Sequence, residues 1–236
     1  METAASLRQM VCKKQEAVTA TEGEAVRNPK TSTLLRHADT GVSVRLLEAD
    51  RSFLRDLSKV QILSTDLADQ HHYGHLKGRS TRSLGRLEAA GIITSKSLYI
   101  AGEKPATVYQ FANPAVARAY GGGLPVTGAK RTDFHELMTA RAYFALGRPA
   151  DFRVAAHMSR DEIDQCRDAR PDALYTDPTT GELVLVEADA GHYTQKQINE
   201  KMGKWSSAGL RQVWAQPARG VSANVPASAD VQVLRL

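Results

Sequence analysis

The sequence predicts an α+β fold in which a small α/β domain follows a domain of helices and one β-hairpin. Between Asp50 and Phe111, three helical patterns precede two β-prone runs. From residue 132 onward, helical and strand patterns alternate. The intervening residues include three successive glycines and a proline, which is typical of a linker. We therefore predict a flexible arm (1–48), a first domain (49–120), a linker (121–131) and an α/β domain (132–236).

Composition and charge are those of an ordinary globular protein. Hydrophobic residues make up 42% of the chain and charged residues 24%, which is enough for a sizeable core. The net charge of +5 favours a polyanionic partner such as nucleic acid. No stretch approaches the ~20 apolar residues of a membrane span, and Cys12 and Cys166 lack the spacing of a metal site or disulfide framework. We therefore expect a cytoplasmic protein without a membrane partner.

Capping residues indicate where the helices of the first domain begin. Asp50, Ser64 and Ser80 are N-cap residue types, and each precedes apolar residues at three- or four-residue spacing. Gly91 then stands where a glycine commonly ends a helix. Two β-prone runs on either side of a Gly/Pro tip predict a hairpin. Three helices followed by such a hairpin, or wing, form the element order of a winged helix-turn-helix.

The third helix and the wing carry the residues expected to bind double-stranded DNA. Lys and Arg side chains neutralise backbone phosphates, and a helix in the major groove reads base edges. The candidates are Arg79, Ser80, Thr81, Arg82 and Arg86 on the helix, and Lys96 and Lys104 on the wing. Exposed arginines also commonly do no more than solvate a helix face. Their combination with a wing favours DNA binding.

Two acids in the second domain are placed to converge. Asp172 begins one predicted strand, a turn rich in Asp, Pro and Gly follows, and Glu187 ends the apolar run 183–186. Antiparallel pairing across the turn would bring the two carboxylates together. Such a pair can hold Mg²⁺, which activates water against a phosphodiester. Strand alternation places Asp189 on the same face as Glu187, as a third candidate acid.

Several short motifs are shared with a known family. Pro171-Asp172 is followed by Glu187 at the end of an apolar strand and then by a helix, which resembles the core of the PD-(D/E)XK nuclease superfamily. His135-Glu136 opens the intervening helix, and residues 85–91 read Gly-Arg-Leu-Glu-Ala-Ala-Gly. With the winged helix, this arrangement resembles the replication-relaxation family of plasmids and mobile elements. The resemblance implies a restriction-endonuclease-like α/β fold and covers roughly residues 50–208.

The chain departs from the nuclease pattern at one position. The pattern has a lysine two residues after the second acid, and this chain has Asp189 there. Lys196 or Lys201 on the following helix would have to replace it. The resemblance then implies Asp172, Glu187, Asp189 and Lys201 as candidate catalytic residues, with Asp172 and Glu187 as metal ligands. Without that replacement, the domain is an inactive derivative kept for binding.

These observations favour one function and leave two alternatives open. We expect a DNA-binding protein that acts in the replication, maintenance or transfer of a plasmid or similar element, with an inactive nuclease-like domain and no cofactor. The first alternative is a Mg²⁺-dependent DNA endonuclease that uses Asp172 and Glu187. The second is a dimeric winged-helix transcriptional regulator, whose α/β domain binds a small ligand or forms the homodimer. The α/β domain is also a candidate surface for a protein partner.

Overall fold

The computed structural model is that of a mixed α and β protein. It describes residues 33–36, 43–74, 78–99, 104–120, 133–166, 169–191, 193–218 and 224–236. Ser32–Leu236 is one compact unit, and Met1–Thr31, most of the predicted arm, lies outside the described residues. Within that arm, β1 (Thr33–Arg36) pairs antiparallel with β2 (Ser43–Leu46), and two apolar side chains of β2 are buried. The predicted flexible arm (1–48) therefore includes, at its C-terminal end, two strands that belong to the folded unit. In the described part of the chain, no helix is long and apolar enough to cross a membrane.

The first part of the unit is a group of helices with a three-stranded sheet. Its helical segments are α1 (Glu48–Val60), α2 (Thr65–Ala68), a π-helical turn (Asp69–Tyr73), α3 (Arg79–Ala89) and α4 (Pro114–Tyr120). The strands are β3 (Leu63–Ser64), β4 (Ile93–Leu98) and β5 (Ala106–Phe111), in the order β3-β5-β4. β4 and β5 form the hairpin that the sequence predicts. The short helix α4 is not predicted by the sequence pattern.

Two of the three predicted helix caps are wrong. Ser64 does cap α2, because its Oγ accepts a main-chain N–H of that helix at 3.3 Å. However, α1 begins before Asp50, whose buried carboxylate accepts the Leu47 N–H at 2.7 Å. α3 begins after Gly78, and Ser80 lies buried in its first turn. Side chains that sequence pattern assigns to helix ends are thus used for interior contacts.

The second part contains a five-stranded mixed sheet in the order β10-β9-β8-β7-β6. Its strands are β6 (Arg153–Val154), β7 (Ala173–Thr176), β8 (Leu183–Ala188), β9 (Arg211–Gln216) and β10 (Val231–Arg235). β6, β7 and β8 pair antiparallel, whereas β9 is parallel to both β8 and β10. The helices are α5 (Asp133–Ala145), α6 (Arg160–Gln165) and α7 (Gln195–Ser207). α7 is the crossover that a parallel β8–β9 pair requires.

Helices α5 and α7 cover opposite faces of this sheet. Leu137 of α5 belongs to one hydrophobic cluster with Ala173, whereas Trp205 of α7 belongs to another with Leu174. Successive residues of a strand point to opposite faces, which explains why Ala173 and Leu174 separate. The same alternation places Glu187 on the face covered by α7.

The two parts share one core. Phe53 and Leu57 of α1 lie in the same hydrophobic cluster as Tyr143 of α5 and Val186 of β8. Polar contacts reinforce this packing, since Lys59 Nζ donates to the Ala150 carbonyl at 2.6 Å. The predicted linker, residues 121–131, lies outside the described residues. The parts on either side of it bury side chains in common.

Candidate functional site

Asp172 and Glu187 meet at the edge of the sheet where β7 begins and β8 ends. Ala173 pairs with Val186, and the Asp172 N–H donates to the Val186 carbonyl at 3.0 Å. The two acids therefore stand opposite each other, and Asp172 Oδ2 accepts the Ala188 N–H at 2.8 Å. Both acids are buried, with 1% and 0% exposed. The hairpin brings together the two acids that the sequence selects.

A histidine completes a cluster with these acids. His135 lies in the first turn of α5, and its Nε2 is 2.6 Å from Asp172 Oδ2. One ligand atom from each of His135, Asp172 and Glu187 lies within 4.8 Å of the other two. Carboxylate oxygens suit hard divalent ions such as Mg²⁺ and Mn²⁺, and imidazole extends the range to later transition metals. Three elements of the fold thus direct metal-binding side chain types to one point.

Lys201 and Tyr193 both bind the same oxygen of Glu187. Lys201 Nζ and Tyr193 Oη each donate to Glu187 Oε1 at 2.5 Å. Lys196, the other lysine considered as a replacement, is 84% exposed and pairs with a neighbouring side chain of α7. Helix α7 therefore places Lys201 against the second acid and directs Lys196 away from it.

Burial sets the electrostatics of the cluster. It is the largest cause that raises the pKa of Glu187 to about 7, and the nearby Asp172 carboxylate raises it further. Lys201 and Tyr193 act in the opposite direction. In the described part of the chain, Glu187 Oε2 is buried and has no hydrogen-bond partner. A buried oxygen in this state suits a cation, so the cluster fits a divalent metal such as Mg²⁺ or Mn²⁺.

Asp189 lies outside this cluster, contrary to its prediction as a catalytic acid. Its Oδ1 accepts the Gly191 N–H at 2.8 Å, and its Oδ2 accepts Gln216 Nε2 at 2.9 Å. Asp189 is fully buried. Because both oxygens are used to shape the turn after β8 and to join it to β9, we assign Asp189 a structural role.

The exposed face of α3 holds part of the predicted DNA-binding set. Arg79, Thr81 and Arg82 are exposed there, together with Gly85. Arg82 Nε donates to the Gly78 carbonyl at 3.2 Å, which orients its side chain along the first turn of the helix. A Cβ added at Gly85 would meet no atom within 4 Å. The exposed face of α3 therefore carries two arginines near its N-terminus and, at Gly85, no side chain in its middle.

Ser80 and Arg86, also predicted to bind DNA, are used inside the protein. Ser80 is 2% exposed and has no surface to offer. Arg86 forms an ion pair with the Asp50 carboxylate, which is fully buried and also accepts the Tyr73 hydroxyl at 3.1 Å. A buried carboxylate is costly without its cation. We therefore reassign Arg86 to fixing α3 on α1.

The two lysines of the wing differ in their surroundings. Lys104 is exposed just before the returning strand β5 begins at Ala106. Lys96 Nζ is 2.6 Å from Asp133 of α5. Ser95, on the other face of β4, donates its Oγ to Glu88 of α3 at 2.7 Å. Lys96 thus lies toward α5 and Lys104 remains the wing cation available to a phosphate. The wing residues 100–103 lie outside the described residues.

Two members of the site are not identified as such by sequence pattern. His135 enters only through the resemblance, as the residue that opens a helix. Tyr193 directly precedes Thr194, whose Oγ1 accepts the Gln197 N–H at 3.3 Å in a capping box. That capping box is the available signal, since it fixes the start of α7 and hence the position of Tyr193 relative to Lys201.

No protein-family model, curated protein or solved structure matches the chain. Two features of the structure bear on the class of protein: the exposed basic face of α3 and the buried His135–Asp172–Glu187 cluster.

Proposed function

We propose that the chain is a winged helix-turn-helix protein that binds double-stranded DNA, with α3 in the major groove and the β4–β5 hairpin against the backbone. The observation that carries this proposal is the exposed face of α3, where Arg79, Thr81 and Arg82 offer charge and hydrogen bonds. The resemblance to the replication-relaxation family supports a role in the replication, maintenance or transfer of a plasmid or similar mobile element.

Gly85 supports close contact between α3 and a partner. A glycine inside a helix costs roughly 0.5–1 kcal/mol of stability relative to alanine. Its backbone is regular here, and a Cβ would fit without a clash in the protein itself. Folding therefore gains nothing from glycine at this position. Because Gly85 has no side chain, the helix backbone close to Arg82 can approach a DNA groove closely.

The proposal is tested by measuring duplex binding of Arg79→Ala and Arg82→Ala variants by fluorescence anisotropy at several salt concentrations. We expect each substitution to cost about 1–3 kcal/mol where the arginine reads a base edge. Where the arginine binds only phosphate, the loss of duplex affinity is smaller. The slope of the logarithm of the binding constant against the logarithm of salt concentration then falls in magnitude by about one. The matched control is Arg160→Ala, which removes an arginine that is 87% exposed on α6.

Gly85→Ala provides an independent arm of the same experiment. We expect a gain in unfolding free energy of roughly 0.5–1 kcal/mol together with weaker duplex binding. If the Arg79→Ala and Arg82→Ala double variant binds duplex as the wild type does, α3 is not the recognition helix. Equal losses in that double variant and in Arg160→Ala would point to general electrostatic attraction instead.

A second candidate function, a Mg²⁺-dependent DNA endonuclease, is favoured by the contact between Lys201 and Glu187. The sequence predicts an inactive domain because Asp189, directly after β8, stands where the nuclease pattern has a lysine. Lys201 Nζ, 2.5 Å from Glu187 Oε1, supplies an ammonium group at the second acid from a different element. The order α5, three antiparallel strands, α7 and a parallel strand also resembles the nuclease core that the motifs imply.

In this second candidate, the cluster residues have distinct chemical tasks. Asp172, Glu187 and His135 would hold the metal, which supplies an activated water and polarises the phosphodiester. Lys201 is positioned to stabilise negative charge that develops on the phosphate. Tyr193 hydrogen-bonds Glu187 and keeps its carboxylate in place.

The endonuclease is tested by incubating plasmid and linear DNA with the purified chain, with Mg²⁺, Mn²⁺ or a chelator. We expect metal-dependent cleavage that falls by more than about 100-fold in Asp172→Asn, Glu187→Gln and Lys201→Met, since each removes charge at the cluster. Lys196→Met, which changes an exposed lysine of the same helix, serves as the control. Binding without cleavage under every metal condition would leave the DNA-binding function alone.

A further inference from the structure

Tyr99 is an exposed aromatic residue that folding does not explain. Its side chain is 79% exposed, and among the described large apolar side chains the only other exposed one is Leu47, at 39%. The preceding residue, Leu98, is half-buried and packs against the core. The chain at this point thus turns one apolar side chain inward and leaves the next in solvent, where an aromatic ring gains no burial energy.

The register of the wing places Tyr99 on the side of α3. Residues two apart in a strand share a face, so Tyr99, which directly follows β4, continues the face of Ser97 and Ser95. Ser95 is bound to Glu88 of α3 through both its N–H and its Oγ. Tyr99 is four residues further along, or about 13 Å at the usual strand rise. It therefore lies on the side of the hairpin that contacts α3, beyond the contact between Ser95 and Glu88.

Exposed cations of the hairpin and of α3 indicate the chemistry of the partner of Tyr99. Lys104 is exposed on the returning chain close to Tyr99, since Leu98 pairs with Ala106, and Arg79 and Arg82 are exposed on α3. A broad aromatic ring among separated cations matches nucleic acid, in which phosphates alternate with flat bases. Inside a paired duplex, the faces of the bases are covered by their neighbours. A ring at this position gains a full stacking contact only from a base that has left the stack.

We propose that Tyr99 stacks on an unpaired base next to the duplex held by α3, so that the protein prefers DNA in which a duplex adjoins a single-stranded segment. This inference rests on the proposed DNA-binding function and specifies its substrate. Arg79 and Arg82 anchor the paired part, Lys104 binds the backbone of the departing strand, and Tyr99 takes up the displaced base.

The test compares a fully paired duplex with the same duplex carrying a short unpaired bubble that contains 2-aminopurine, whose fluorescence reports stacking. We expect wild-type protein to bind the bubble more tightly than the duplex and to change the 2-aminopurine signal. Tyr99→Ala should lose about 5- to 100-fold of bubble affinity, the range for removing one base-stacking aromatic, and leave duplex affinity unchanged. Tyr99→Phe should retain both affinity and signal, and Ser97→Ala is the matched control on the same strand face.

Each other outcome overturns the proposal. If Tyr99→Phe loses as much as Tyr99→Ala, the hydroxyl group binds a phosphate and no base stacks. Equal losses on duplex and bubble place Tyr99 on paired DNA, and no loss on either assigns this ring to a different partner, such as a protein. If wild-type protein binds neither DNA, the proposed DNA-binding function itself fails.

Discussion

Asp56→Ala is expected to lower the free energy of unfolding by about 1–3 kcal/mol, because the buried Tyr143 hydroxyl loses its acceptor and Arg148 loses its counter-ion. The Asp56 side chain is 3% exposed, and its Oδ2 lies 2.6 Å from the Arg148 guanidinium. Its Oδ1 accepts the Tyr143 hydroxyl at 2.9 Å. Burial also lowers the pKa of neighbouring His72 to about 3, so this imidazole is neutral and does not replace the arginine as a counter-ion.

Urea denaturation followed by circular dichroism measures this effect. Asp164→Ala, which removes an aspartate that is 57% exposed on α6, should change stability by less than about 0.5 kcal/mol. Tyr143→Phe removes one of the hydrogen bonds and should cost about 1–3 kcal/mol, because a buried acceptor loses its donor. A loss below about 1 kcal/mol for Asp56→Ala would mean that the contacts of Asp56 do not hold α1 to α5.

The second large effect is a stability that falls as pH rises, caused by Glu187. Its pKa is raised from 4.5 to about 7, so the folded chain binds this proton more tightly than the unfolded chain does. The contribution is fully present below the unfolded pKa and is lost as pH rises through the folded value. Glu187→Gln removes the ionisation, and we expect it to equal or exceed the wild type in stability at about pH 8.

Denaturation in a chelating buffer at about pH 5 and about pH 8 tests this expectation, with the difference between wild type and Glu187→Gln as the measured quantity. Mg²⁺ or Mn²⁺ should reverse the pH effect in the wild type, because a bound cation stabilises the ionised acids. Glu200→Gln, which changes a carboxylate that is 60% exposed, should behave as the wild type. If the cations stabilise Glu187→Gln as much as the wild type, the cluster is not their binding site.

Much of the fold is predictable from local pattern. The apolar spacing in α1 and α3 and the Gly/Pro signal between the two strands of the hairpin each act within a few residues of the chain. The hairpin of β7 and β8 is equally local, and it brings Asp172 beside Glu187. These elements are present in the predicted order because their signals do not depend on distant residues, although α1 and α3 begin before the predicted caps Asp50 and Ser80.

The remaining assignments depend on contacts between distant residues. Asp50 has the residue type of a helix cap, but it binds Arg86, which is 36 positions away. That pairing removes Arg86 from the predicted DNA-binding set. Asp189 is similarly bound by Gln216, 27 positions away. Local pattern cannot distinguish an exposed polar side chain from one that a distant segment buries, and both errors have this cause.

Contacts at the two ends of helix α5 fix the distance between the acidic cluster and helix α1. His135 in its first turn belongs to the acidic cluster, and Tyr143 near its end is bound to Asp56 of α1, the helix to which Arg86 fixes α3. Eight residues of helix, or about 12 Å, separate these two anchors. A rigid connection of this kind fixes the distance between the α3 surface that we propose to bind DNA and the His135–Asp172–Glu187 cluster. An endonuclease built on it would cut at a constant offset from its bound sequence.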